Sequence, residues 1–241
     1  MLGLKIIIHQ LNKFNMNIVE YPLSKGEYYE EVVKKDTIFI HHTAGSHRPD
    51  YTIEGWEKDR AKSGEQLPVA TAYVIGGLST SSDESKYDGL IYRTFDDKFW
   101  AHHLGLKQLN NKTLNQKSIA IEICNYGPLT KTKTGVYLNY VNKEIPASMV
   151  GELNVPFRGF KYYQKYTDKQ IIALKELLLS LSVKYGIDLK KGLNELTDFS
   201  LEVNLNATIG KPGLWSHSSV RSDKFDVWPQ PELIGLIQSF K

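Results

Sequence analysis

The chain has 241 residues, 41% of them hydrophobic, with 30 Lys and Arg against 27 Asp and Glu. That length suits one large domain with a substantial core. A net charge of +3 with no run of Lys or Arg excludes a basic nucleic-acid arm, the single cysteine Cys124 excludes an internal disulfide, and no apolar run is long enough to span a bilayer.

Residues 1–10 are briefly apolar but lack a charged leader, a long apolar stretch and a small-residue cleavage site, so they do not read as a signal peptide. Recognisable order begins after Met16, an alternative start, and residues 1–35 read as an N-terminal extension. The protein is expected to be made and kept in the cytoplasm unless another factor releases it.

Residues 37–42 are β-branched and aromatic and predict a buried strand. Thr52 is placed to cap a helix over about 53–62, closed by Gly64. Ala70 to Ile75 predicts a second strand, stopped by Gly76-Gly77, and Gly89 to Phe95 a third, after a turn at Asp88-Gly89. Residues 118–124 alternate, with Ile119, Ile121 and Ile123 on one face and Ala120, Glu122 and Cys124 on the other. Thr167 and Gln170 form a capping box for a helix whose stripe is Ile171, Leu174, Leu177, Leu178 and Leu181, ending near Gly186. Pro231 suits the first turn of a final helix carrying Leu233, Ile234 and Ile237. Residues 127–166 and 187–213 show weak periodicity and read as insertions or decorated loops. The expected fold is α/β: a single central mixed β-sheet flanked by helices, with insertions.

The chemistry is split between the two ends. His41 and His42 close the first strand; His217 and Asp226 lie nine residues apart near the C-terminus. If these groups converge, two imidazoles and one carboxylate supply the three protein ligands of a catalytic zinc, whose fourth position stays open for water or substrate. Taken alone, the segment with Lys224 and Asp226 reads as a surface loop. His41 shares a face with Phe39 and Thr37, His42 with Ile38 and Ile40, and a central strand is covered on both faces, so alternation does not choose between them. Glu122 is an acid inside a strand of isoleucines; burial there would raise its pKa towards the range of a general base. His102 and His103 follow Phe99-Trp100-Ala101 and either line a cleft or lie on the surface. Cys124 reads as a small buried apolar residue.

In chain order, Ile40-His41-His42-Thr43-Ala44-Gly45, Ala70-Thr71-Ala72-Tyr73-Val74-Ile75, Ala101-His102-His103-Leu104-Gly105, Asn115-Gln116-Lys117-Ser118-Ile119-Ala120-Ile121-Glu122 and Ser216-His217 through Lys224-Phe225-Asp226 resemble the motifs of the type 2 N-acetylmuramoyl-L-alanine amidases. That family includes phage amidase-type lysozymes, bacterial autolysins and peptidoglycan recognition proteins. The resemblance covers roughly residues 36–126, 166–186 and 214–240, so residues 36–241 are expected to be the catalytic domain. The sequence departs from the family pattern in having Val227-Trp228-Pro229 where Pro-Gly is usual, Ser216 before the histidine, and Thr71 where some relatives place a catalytic tyrosine.

The resemblance implies a zinc ion (Zn2+) held by His41, His217 and Asp226, Glu122 as general base, and Lys224 beside the developing oxyanion. It also implies His103, Thr43 and Trp100 on the substrate side. The implied reaction is hydrolysis of the amide between N-acetylmuramic acid and L-alanine in peptidoglycan, by a monomer such as a phage endolysin or another wall-lytic enzyme. The alternatives are a peptidoglycan-binding module that does not cut, and a phage structural protein of the same fold.

Overall fold

A computed structural model describes residues 16, 18–82 and 84–241. The N-terminal leader reading therefore falls outside the described residues. The central sheet contains β1 (Ile18–Glu20), β2 (Thr37–His42), β3 (Tyr73–Ile75), β4 (Ile91–Arg93), β5 (Ser118–Ile123) and, from the far end of the chain, β11 (Gly213–Ser216). Their spatial order is β1-β4-β3-β5-β2-β11. Strands β3, β5, β2 and β11 run parallel, β4 pairs antiparallel with β3, and β1 lies parallel to β4 at the edge. All six residues of β2 are buried, as a strand covered on both faces requires.

The helices are α1 (Pro49–Lys58), α2 (Asn111–Lys117), α3 (Asp168–Tyr185), α4 (Leu205–Thr208) and α5 (Pro231–Gln238). In α3 the Thr167–Gln170 capping box is formed, and Gly186, at φ 68°, ends the helix in the left-handed conformation that glycine adopts at no steric cost. Leu174, Leu177, Leu178 and Leu181 are buried beneath it, whereas Ile172 points outward. Helix α1 starts earlier than the Thr52 reading predicted. Pro49 occupies the first turn, where its missing N–H is no loss, and Thr52 lies inside the helix. The strands at 70–75 and 89–95 are shorter than expected. Ala70, for instance, donates its N–H to the His102 carbonyl rather than to a sheet neighbour.

Residues 127–166, expected as loops, instead build a second, antiparallel sheet. Its strands are β6 (Pro128–Lys131), β7 (Tyr137–Leu138), β8 (Glu144–Ile145), β9 (Val150–Phe157) and β10 (Phe160–Gln164), in the order β8-β7-β6-β10-β9. It has a small core of its own, Tyr126, Leu129 and Ile145, with Tyr137 and Tyr162 packed against it. Residues 187–213 are irregular apart from α4 and one short 3-10 turn. Among the described residues no helix is long and apolar enough to cross a membrane.

Lys35 precedes β2 and is only 1% exposed. Its ammonium donates to the Gln116 carbonyl at 2.7 Å. Burial pulls its pKa down to about 8, against the opposing pull of Asp97, Asp36 and Glu31. The unfolded lysine holds its proton to about pH 10.4, so the unfolded state binds more protons between those values and stability from this residue rises with pH across that window. Below about pH 8 the full cost of burial is present. The unfolding free energy of wild type minus that of Lys35→Met is expected to rise by roughly 2–3 kcal/mol between about pH 7 and about pH 10, measured in urea. A flat difference would show that Lys35 is not desolvated.

Candidate active site and metal centre

Parallel pairing gathers the chemistry at one end of the sheet. The β2–β5 register sets His41 opposite Glu122. On the other side of β2, Ser216 of β11 lies opposite Ile40, so the chain leaves β11 with His217 beside His41. His217 opens a 3-10 turn, and the Ser218 N–H donates to the Asp226 carbonyl at 2.8 Å, closing a loop that returns Asp226 to the same place. The carboxyl ends of parallel strands are where sites of open α/β sheets form.

Three side-chain atoms converge there. His41 Nδ1 and His217 Nδ1 are 3.0 Å apart. Asp226 Oδ2 lies 2.9 Å from His217 Nδ1 and 3.3 Å from His41 Nδ1. The far side of each ring is engaged. His217 Nε2 donates to the Leu104 carbonyl at 3.0 Å, which makes its Nδ1 a lone pair. His41 Nε2 lies 3.1 Å from His103 Nδ1. His103 Nε2 lies 2.7 Å from Ser118 Oγ, and that hydroxyl donates to the Leu114 carbonyl at 2.7 Å. Because the relay ends on a carbonyl, it runs consistently outward from His41 and leaves His41 Nδ1 as a lone pair too. Three acceptors face one another with no proton between them, and such an arrangement calls for a cation.

The electrostatics agree. Burial lowers the His41 pKa to about 4, helped by His217 and opposed by Asp226. Burial pushes the Asp226 carboxyl up, but the His217 and His41 imidazoles beside it pull the other way and hold Asp226 well below the usual carboxylate range. Neutral imidazoles and an ionised carboxylate are the protonation states of metal ligands. Among the described residues, His41, His217 and Asp226 form the one cluster of three such donors.

The tie between the two adjacent histidines is broken by the fold. His42 faces away from the cluster, with Nδ1 2.8 Å from the Tyr166 hydroxyl. Glu122 is half-buried, and its Oε2 is buried without a hydrogen-bond partner. Burial, then the Asp226 charge, raise its pKa well above the ordinary carboxylate value, and Lys224 pulls the other way. Lys224 is half-buried on the 218–226 loop, close enough for its charge to act on Glu122, His41 and His42.

The structure gives each of the three expected substrate-side residues partners within the protein. Trp100 is buried in the core; its indole N–H donates to Glu31 at 2.9 Å and its ring stacks on Tyr29 at 4.0 Å. His103 has both ring nitrogens engaged by the protein, so it backs His41 instead of facing a substrate. Thr43 Oγ accepts the Asn125 N–H at 3.2 Å and ties the ends of β2 and β5 together. Sequence reasoning missed Ser118 and Asn115, whose Oδ1 accepts the N–H groups of His103 and Leu104. Ser118 lies on the Glu122 face of its strand, and it and Asn115 belong to the 115–122 segment that resembles a family motif; those were the signals.

The profile of a family described as N-acetylmuramoyl-L-alanine amidase matches residues 31–226. The chain belongs to that family. It is thus a peptidoglycan amidase, and peptidoglycan is its substrate. The amidase is similar to the structure of PlyL, at 13% identity and a TM-score of 0.50, covering 94% of this chain and 98% of that one. It is also similar to the crystal structure of AmpD as its selenomethionine derivative, at 13% identity and a TM-score of 0.50, covering 93% and 94%. At these identities the likeness shows the fold alone. No curated protein matches the chain.

An unpartnered buried carboxyl oxygen is a cost the fold bears. Glu122→Leu is expected to raise the unfolding free energy of the amidase in chelator by about 1–3 kcal/mol, measured in urea. Unchanged or lower stability would show that Glu122 is satisfied in the fold.

Proposed function

We propose that this amidase is zinc-dependent and cleaves the amide between the lactyl group of N-acetylmuramic acid and L-alanine. In this reading His41 and His217, through Nδ1, and Asp226, through its carboxylate, hold one zinc ion. The observation that carries it is the triangle of three proton-free acceptors, with edges of 2.9 to 3.3 Å. The donor set also fits: two imidazoles and a carboxylate bind zinc at about 2.0–2.2 Å and leave one tetrahedral position open. Bound there, zinc supplies Lewis acidity, polarising the scissile carbonyl and making water a nucleophile near neutral pH.

The remaining steps belong to the protein. Glu122 Oε2, free of any partner, accepts a proton from the attacking water. As the carbon–nitrogen bond breaks, Glu122 passes that proton to the leaving nitrogen of L-alanine. A raised pKa suits a group that must both take and return a proton. The water oxygen stays on the lactyl carbonyl carbon, and the second water proton passes from the new carboxylic acid to the released amine. The products are a carboxylate and a stem peptide with a free amino terminus. Lys224, half-buried on the loop that carries Asp226, would supply the ammonium that meets negative charge developing on the carbonyl oxygen.

The Glu122→Gln variant keeps the shape of the side chain and cannot take the proton. It is expected to bind one zinc per chain, as wild type does, and to lose about 10²–10⁴-fold in turnover on purified peptidoglycan. Metal content is read by elemental mass spectrometry and turnover by the release of stem peptides with an L-alanine amino terminus. Wild-type turnover in this variant would overturn the base assignment, and cleavage at another bond would overturn the reaction.

A further inference from the structure

The loop from Ser218 to Asp226 carries both Lys224 and Asp226. The Ser218 N–H to Asp226 carbonyl bond closes it at its base, and the Lys224 N–H donates to the Arg221 carbonyl at 3.4 Å. Arg221 holds its inner side to the Leu104 and Gly105 carbonyls at 3.3 and 3.2 Å. Both segments read as insertions meet on its outer side. The tip of the β9–β10 hairpin is a tight turn, with Arg158 at φ 50° and Gly159 at φ 84°. A non-glycine residue in the left-handed region is uncommon, and here it aims the arginine side chain at the loop. Arg158 Nη1 donates to the Ser222 carbonyl at 2.6 Å and Nη2 to the Ser218 carbonyl at 3.1 Å. Nη2 also meets Glu202, from the 187–213 segment, at 2.8 Å. The Arg158 side chain is only 9% exposed, and its Nε is buried without a partner. Two residues beyond Glu202, the Asn204 N–H donates to the Ser219 carbonyl at 2.9 Å. The hairpin adds apolar contacts. Phe160 packs edge-on against Phe225 with centroids 5.3 Å apart, and Tyr163 stacks on Trp228 at 5.1 Å.

A buried guanidinium spent on backbone carbonyls fixes the path of a chain segment, because its planar fork holds several acceptors at once. We propose that Arg158 is a positioning residue for the active site: it clamps the 218–226 loop so that Asp226 reaches the metal and Lys224 reaches the scissile carbonyl. The second sheet thus serves the catalytic loop. This rests on the metal and oxyanion roles proposed above for Asp226 and Lys224. Supporting groups of this kind set metal affinity and turnover while touching neither metal nor substrate.

The test compares Arg158→Met, Arg158→Lys, Glu202→Gln and Asp226→Asn in the full chain. Zinc affinity is read by competition with a chelator, and kcat and KM are read on a soluble muropeptide. Arg158→Met is expected to weaken zinc binding about tenfold and to lower kcat about tenfold, with KM nearly unchanged. Arg158→Lys keeps the charge but not the fork and is expected to fall between Arg158→Met and wild type. Glu202→Gln leaves both carbonyl contacts and is expected to stay near wild type. A merely structural arginine would lower the melting temperature and leave zinc affinity and kcat of the folded protein unchanged. That result, alongside an Asp226→Asn variant that has lost zinc, overturns the clamp and leaves the metal reading standing. Wild-type zinc affinity in Asp226→Asn overturns the metal reading itself. If Arg158→Met does not fold, Arg158→Lys decides by the same criteria.

Discussion

Everything in the site depends on β2 lying between β5 and β11 in parallel register. His41 and His217 are 176 residues apart in sequence and meet only because β11 returns to pair with β2. The same register sets Glu122 across from His41 on the next strand. The apolar residues of these strands do the holding. Ile38, Ile40, Ile121 and Leu214 are wholly buried, so a slip of one residue would turn each strand inside out. The chemistry is therefore placed by the same burial that stabilises the sheet.

On that scaffold, protonation is decided by the outer partners of the rings. The Leu104 carbonyl accepts only, so the proton of His217 sits on Nε2, and the relay through His103 and Ser118 to the Leu114 carbonyl does the same for His41. Both Nδ1 atoms then turn to Asp226 as lone pairs. Left alone, this is an unfavourable assembly of acceptors; with a divalent cation it becomes a site. Glu122 carries a similar cost, a buried oxygen without a partner, and in the proposed mechanism that oxygen is the one with a proton to move.

Much of this was legible in the sequence, because the relevant signals are local. The alternation of residues 118–124, the capping box at Thr167 and the apolar run ending in His41-His42 are written in adjacent residues and appear in the structure as β5, α3 and β2. What could not be read depended on distant partners. Trp100 looked like a cleft residue until Tyr29 and Glu31, from the N-terminal segment, were found covering it. His103 looked like a substrate contact because a sequence does not say that Ser118 lies behind its ring. The second sheet escaped because β7 and β8 are two residues each and its own buried core is only Tyr126, Leu129 and Ile145, too few positions to set a period. Likewise, nothing near Arg158 in the sequence announces that it reaches Ser218, Ser222 and Glu202.

The central claim is that two Nδ1 atoms and one carboxylate share a zinc. Diffraction from crystals of the zinc-loaded amidase, recorded on both sides of the zinc absorption edge, tests it most directly. A single anomalous peak is expected within bonding distance of His41 Nδ1, His217 Nδ1 and an Asp226 carboxylate oxygen, with both Nε2 atoms still on His103 and Leu104. A peak ligated through Nε2, a peak bound by His42 or His103 in place of these residues, or no peak at the cluster would contradict the account.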